Sequence, residues 1–130
     1  MSNIVERVKA LGLPLDQLVV IGSGLLDAYG LRESRDVDLV VSPELYQKCQ
    51  NELGYELQSK REPNDHLEKG DVEVWLDWGD TDFNAHNKVA VAIEGVKFVN
   101  PDFLISWKTS RGTEKDLHDI ELLEAYEQKN

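Results

Sequence analysis

Asp36 and Asp38 stand one residue apart in Arg35–Val41, where Val37, Leu39, Val40 and Val41 are all apolar. An apolar run of this length is a strand candidate, and side chains two apart on a strand share a face. Two carboxylates side by side repel, and burying them without a counter-charge is costly. A divalent cation resolves the conflict. Mg²⁺ takes hard oxygen ligands and is held by one or two carboxylates together with phosphate oxygens. Upstream, Leu18–Ile21 runs into Gly22-Ser23-Gly24, with twelve residues between Ser23 and Asp36. Gly22 and Gly24 permit close backbone approach to a ligand, N–H groups at a following helix start favour phosphate, and Ser23 offers a hydroxyl. Together the two stretches describe an anion cradle beside a metal-binding carboxylate pair.

These residues need a frame. Ile4, Val5, Val8 and Leu11 predict a helix over Asn3–Leu11, broken by Gly12 and Pro14. Gln17–Ile21 is expected as a buried strand, and a short helix through Leu25, Leu26, Ala28 and Tyr29 ends at Gly30. Arg35–Val41 is the second strand. Ser42-Pro43-Glu44 is a helix start, with a cap, a proline in the first turn and an early acid; Gly54 ends that helix after Leu53. Tyr55–Lys60 is expected as a strand, residues 61–70 as a polar loop and Asp71–Trp78 as another strand. Lys88–Ile93 and Val96–Val99 would pair about a Glu94-Gly95 turn. Asn100-Pro101-Asp102 opens a helix through Trp107. Thr113 and Asp116 have capping spacing for a last helix carrying Leu117, Ile120, Leu123 and Tyr126. The pattern is one α/β domain over residues 1–130, a mixed β-sheet flanked by helices.

Ile21-Gly22-Ser23 followed by Asp36-Val37-Asp38-Leu39 resembles the signature of the polymerase-beta-like nucleotidyltransferase superfamily: an apolar residue, Gly, Gly or Ser, a gap, then acid-x-acid among apolar residues. The stretch NPDFLISWKTSRGTEKDLHDIELL is similar to the ending of small prokaryotic members, where a lysine-bearing helix precedes an arginine and a Lys-Asp-x-x-Asp-Ile helix. The resemblance implies the nucleotidyltransferase fold, two Mg²⁺ ions bridged by the D-x-D pair and a third carboxylate, and a nucleoside triphosphate substrate. An acceptor hydroxyl would attack the α-phosphate in line, with pyrophosphate leaving. It makes Asp36 and Asp38 metal ligands and assigns Gly22 and Ser23 to the triphosphate. Lys108 becomes a phosphate contact as a mobile point charge. Arg111 and Lys115 are further cationic candidates, with Asp116 and Asp119 capping or pairing on the last helix.

The family's third carboxylate sits on a neighbouring strand between apolar residues. Within VEVWLDW both Glu73 and Asp77 fit, but on one strand they lie roughly 13 Å apart and cannot share one metal cluster. Asp77, in Leu76-Asp77-Trp78, is the expected ligand and Glu73, between Val72 and Val74, its rival. Trp75, Trp78 and Phe83 fall close by and are expected in the core, with stacking of a base or acceptor ring on one of them as the alternative.

Composition narrows the partners. The 25 acidic against 14 basic residues give a formal charge of −11, which opposes binding to a long nucleic acid. No apolar run reaches the roughly 20 residues that span a bilayer, and the N-terminal stretch lacks a signal-peptide pattern. Cys49 is alone and no Cys/His spacing suggests zinc; His66, His86 and His118 are far apart and expected at the surface. A cytoplasmic setting follows. The expected function is a metal-dependent nucleotidyltransferase moving a nucleoside monophosphate onto a hydroxyl of a small molecule or a protein side chain, with a protein partner or homodimer mate able to complete the site. The alternatives are a component of a toxin–antitoxin pair, a transferase acting on the end of transfer RNA through Lys108, Arg111 and Lys115, and an inactive binding protein of the same fold.

Overall fold

A computed structural model describes residues 3–58 and 65–129. Asn3 caps helix α1 (Ile4–Ala10), its side chain accepting from the Glu6 N–H, and buries Ile4, Val5 and Val8 beneath it. One 3₁₀ turn, Leu15–Gln17, leads into strand β1 (Leu18–Ile21), which is buried throughout. Helix α2 (Gly24–Ala28), strand β2 (Val37–Val41) and helix α3 (Pro43–Asn51) follow. The Ser42 hydroxyl accepts from the Leu45 N–H, so the Ser-Pro-Glu start works as its chemistry predicts. The chain continues through β3 (Glu56–Gln58), β4 (His66–Lys69), β5 (Val72–Trp75), β6 (Asp77–Trp78) and β7 (Thr81–Asp82). Helix α4 (Phe83–Val89), strands β8 (Val91–Ile93) and β9 (Val96–Phe98), and helices α5 (Pro101–Arg111) and α6 (Glu114–Lys129) complete it.

Among the described residues, seven strands form a mixed sheet in the order β3-β4-β5-β2-β1-β9-β8. The β2–β5 and β1–β9 pairs are parallel and the others antiparallel. One face carries Leu18, Val20, Leu39, Val41, Val74 and Leu67, all fully buried, with Ile4 of α1 packed near Val20. The other face begins apolar at Val19, Ile21 and Val40. There Lys97 of β9 reaches Asn87 of α4, and toward β5 and β4 the same face turns acidic. The mixed sheet flanked by helices expected from the sequence is what forms. Among the described residues no helix is long and apolar enough to cross a membrane.

Several local expectations change. Residues 59–64 lie outside the described residues, which removes the end of the expected Tyr55–Lys60 strand and the start of the expected loop. The rest of that loop contains β4, which pairs with both β3 and β5. The expected Asp71–Trp78 strand stops at Trp75. Asp77 and Trp78 pair instead with Asp82 and Thr81 in a separate hairpin, turned by Gly79 and Asp80 at φ 60° and 57°. Lys88 and Val89 end a helix rather than start a strand; the Asp82 side chain caps α4 by accepting from the Ala85 N–H. Asp36 precedes β2 rather than lying in it. Glu94 and Gly95, at φ 50° and 86°, do make the β8–β9 turn.

Candidate functional site

β1 ends at Ile21, opposite Asp38 on antiparallel β2. The turn that follows therefore lies beside the start of β2. Gly22 takes φ 68°, in the left-handed region, and a Cβ built there would lie 3.1 Å from Asp38 Oδ2. The glycine lets backbone and carboxylate approach. Gly24 has a different reason: its Cβ would fall 2.5 Å from Val20 Cγ1, so close packing of α2 on β1 excludes a side chain. Gly24 thus has a role in the core.

Parallel pairing sets Glu73 of β5 opposite Asp38. Glu68 of β4 lies opposite Glu73, and Glu56 of β3 opposite Glu68. Register partners share a face, so four carboxylates cross four adjacent strands in one row. Like charges directly opposite one another are unfavourable, and a hard divalent cation is the chemistry that suits such a set. Asp77 is not in this row. It lies past the end of β5, exposed, lining a hollow with Val41, Leu76 and Phe83. The carboxylate adjoining Asp38 is Glu73, the rival in the sequence reading, because β5 ends before Asp77.

Asp36 is exposed one step before β2, and its carbonyl accepts from the Ser34 hydroxyl at 2.8 Å. The segment leading to it is pinned from α1 and α2. Buried Asp27 accepts from the Ile4 N–H and the Ser34 N–H, while Arg7 donates to the Ser34 and Arg35 carbonyls. No sequence motif marks Asp27 and Arg7 for this task.

Ser23 sits at the edge of an ion network. Its hydroxyl accepts from Arg32 at 2.9 Å and from Lys108 at 3.4 Å. Arg32 forks onto both Asp119 oxygens at 2.7 Å, and Lys108 donates to Asp119 at 3.0 Å. Lys108 also lies 3.6 Å from Asp116, which Arg111 and Thr113 hydrogen-bond. The Lys108 and Asp119 side chains are 2% and 1% exposed, so Lys108 is a fixed, buried cation rather than the expected mobile one. Burial pushes the Asp119 carboxyl up, but hydrogen bonds from Arg32 and Lys108 outweigh it and leave it below its ordinary value. Arg111 beside Asp116, with help from Thr113 and against burial, holds that carboxyl well below the carboxylate range. Thr113 thus caps α6 by accepting from the Asp116 N–H, and Asp116 accepts back from the Thr113 N–H while pairing with Arg111. Asp119 pairs across 87 residues with Arg32, a residue that the spacing of motifs does not reveal.

Two histidines expected at the surface are buried. His66 stacks on Trp75, its register partner, at 4.3 Å, and His86 meets the Trp78 carbonyl at 2.9 Å. Trp78 packs against Trp107 and Phe103, so Trp75 and Trp78 already have protein partners on their rings. Arg111 lies over Trp107, and Lys115 is exposed. No protein-family model, curated protein or solved structure matches the chain.

Proposed function

We propose that the protein is a metal-dependent nucleotidyltransferase that moves a nucleoside monophosphate from a nucleoside triphosphate to a hydroxyl of a small molecule or a protein side chain. The observation that carries this reading is the close approach of the Gly22 turn to Asp38, at one end of the carboxylate row. Asp36, Asp38 and Glu73 would hold Mg²⁺, their all-oxygen donor set suiting a hard cation. Glu73 takes the role assigned to Asp77 from the sequence. Bound Mg²⁺ supplies Lewis acidity toward phosphate oxygens and acidifies the acceptor hydroxyl.

The chain's own groups bind and orient. Gly22 and Ser23 offer the turn to the triphosphate. Arg32 and Lys108, both on the Ser23 hydroxyl, fix that turn in place. Arg32 and Lys108 thus bring two cationic groups onto Ser23 in a chain of net −11. Those local cations favour a small anion where the whole molecule repels a long one.

The test is the fate of label. The protein is incubated with Mg²⁺ and a triphosphate labelled at the α- or the γ-phosphate, with filtered lysate and its protein fraction supplied separately as acceptors. Transfer of α-label alone into either fraction supports nucleotidyl transfer, and the fraction labelled gives the acceptor class. Transfer of γ-label would contradict it, since that is phosphoryl transfer.

A further inference from the structure

The acidic row does not end at the nucleotide side. On β4, His66 and Glu68 are two apart and face the same way as Glu73 across the β4–β5 pair. His66 Nε2 lies 2.6 Å from Glu68 Oε2 and 3.9 Å from Glu73 Oε1. One ligand atom from each of the three lies within 4.8 Å of the others. We infer that His66, Glu68 and Glu73 form a second cation site, selective for a borderline divalent ion such as Zn²⁺ and sharing Glu73 with the Asp36/Asp38 site.

Geometry and donor chemistry both support it. Zinc bonds to imidazole nitrogen and carboxylate oxygen are about 2.0–2.2 Å, which in a tetrahedral site separates ligand atoms by roughly 3.3 Å. The two distances from Nε2 bracket that value, and the third separation, between the glutamate oxygens, is within 4.8 Å, so side-chain adjustments without backbone movement would close the site. The imidazole is already aimed. Its side chain is 2% exposed and clamped face to face on Trp75, with 13° between the planes. Nδ1 has no hydrogen-bond partner among the described residues, so the stack and whatever Nε2 meets set the ring's orientation. An imidazole with two carboxylates suits Zn²⁺, whereas Mg²⁺ prefers an all-oxygen set. Three protein donors also leave a position open for water or a ligand, as catalytic zinc sites do.

This site does not depend on the nucleotide reading, and it is tested without nucleotide. Calorimetry with ZnCl₂ on the purified chain is compared among wild type, His66→Gln, Glu68→Gln and Asp77→Asn, with far-ultraviolet circular dichroism confirming the fold. The expected result is a tightest Zn²⁺ step weakened about tenfold or more by His66→Gln and Glu68→Gln and unchanged by Asp77→Asn, an exposed acid outside the row. Glu68 is 41% exposed, so its variant keeps the test decisive if His66→Gln does not fold. Equal Zn²⁺ binding by wild type and Glu68→Gln overturns the assignment. A wild type that binds Mg²⁺-triphosphate but no Zn²⁺ overturns this site alone and leaves the nucleotide site standing.

Discussion

Asp38 Oδ2 lies 3.1 Å from the point where a Cβ on Gly22 would sit, and Gly22 has φ 68°. The two halves of the motif, separated along the chain, are thus in contact in the fold. Gly22→Ala carries two penalties, left-handed strain and displacement of Asp38. Gly30→Ala carries only the strain, because at φ 75° its Cβ would meet open space. Gly30→Ala should lose about 1–2 kcal/mol of stability and Gly22→Ala at least as much, read by denaturant unfolding. Only Gly22→Ala should also lose triphosphate binding. Equal binding by the two would show that the Gly22–Asp38 contact has no part in the site.

Glu73→Gln removes the carboxylate opposite Asp38, and Asp77→Asn removes one outside the row. Metal-dependent triphosphate binding should fall in the first and persist in the second. Without metal both variants should remain folded, so that the difference between them reads binding. Thermal melts in chelator, alongside binding isotherms, check both parts.

Asp119→Ala leaves buried Lys108 with the Ser23 hydroxyl at 3.4 Å and the Asp116 oxygen at 3.6 Å. Breaking a buried pair from one side costs about 3–5 kcal/mol, and the remaining Asp116 contact puts the expectation near ~3 kcal/mol. Lys108→Met combined with Asp119→Leu should recover part of that loss, because the buried ammonium goes with its partner while Arg32, 23% exposed, still loses its fork. Urea unfolding of the three chains measures it. A double variant no better than Asp119→Ala would contradict the role given to the ion pair.

The carboxyls of Asp116 and Asp119 are depressed in the fold. A folded pKa below the unfolded one, near ~3.9, contributes stability that is fully present above that pH and is lost as pH falls toward the folded values. Stability of the wild type should therefore drop from about pH 4 downward, and Asp116→Asn should flatten that acid limb. Unfolding free energies across an acid series test the slope.

Short-range signals in the sequence carried over well. Ser42 caps α3, Glu94-Gly95 turns β8 into β9, and Gly22 meets Asp38, because each depends on residues close in the chain or on two strong apolar runs. β4 was hidden because His66-Leu67-Glu68-Lys69 has one apolar residue and becomes a strand only between β3 and β5. That loss concealed the alignment of His66 and Glu68 with Glu73. The choice between Glu73 and Asp77 depended on where β5 ends, which a distant register decides. Helix α4 has few apolar residues and owes its start to the Asp82 cap. The Arg32–Asp119 pair spans 87 residues, beyond any local pattern.

The most direct measurement is calorimetric titration of the purified chain with each of the four nucleoside triphosphates, with and without Mg²⁺, repeated on Asp36→Ala/Asp38→Ala. Binding that requires Mg²⁺, prefers one base and disappears in the folded double variant is the predicted result. A folded wild type that binds no triphosphate under any of these conditions would contradict the nucleotidyltransferase reading and leave a carboxylate-lined sheet without that chemistry.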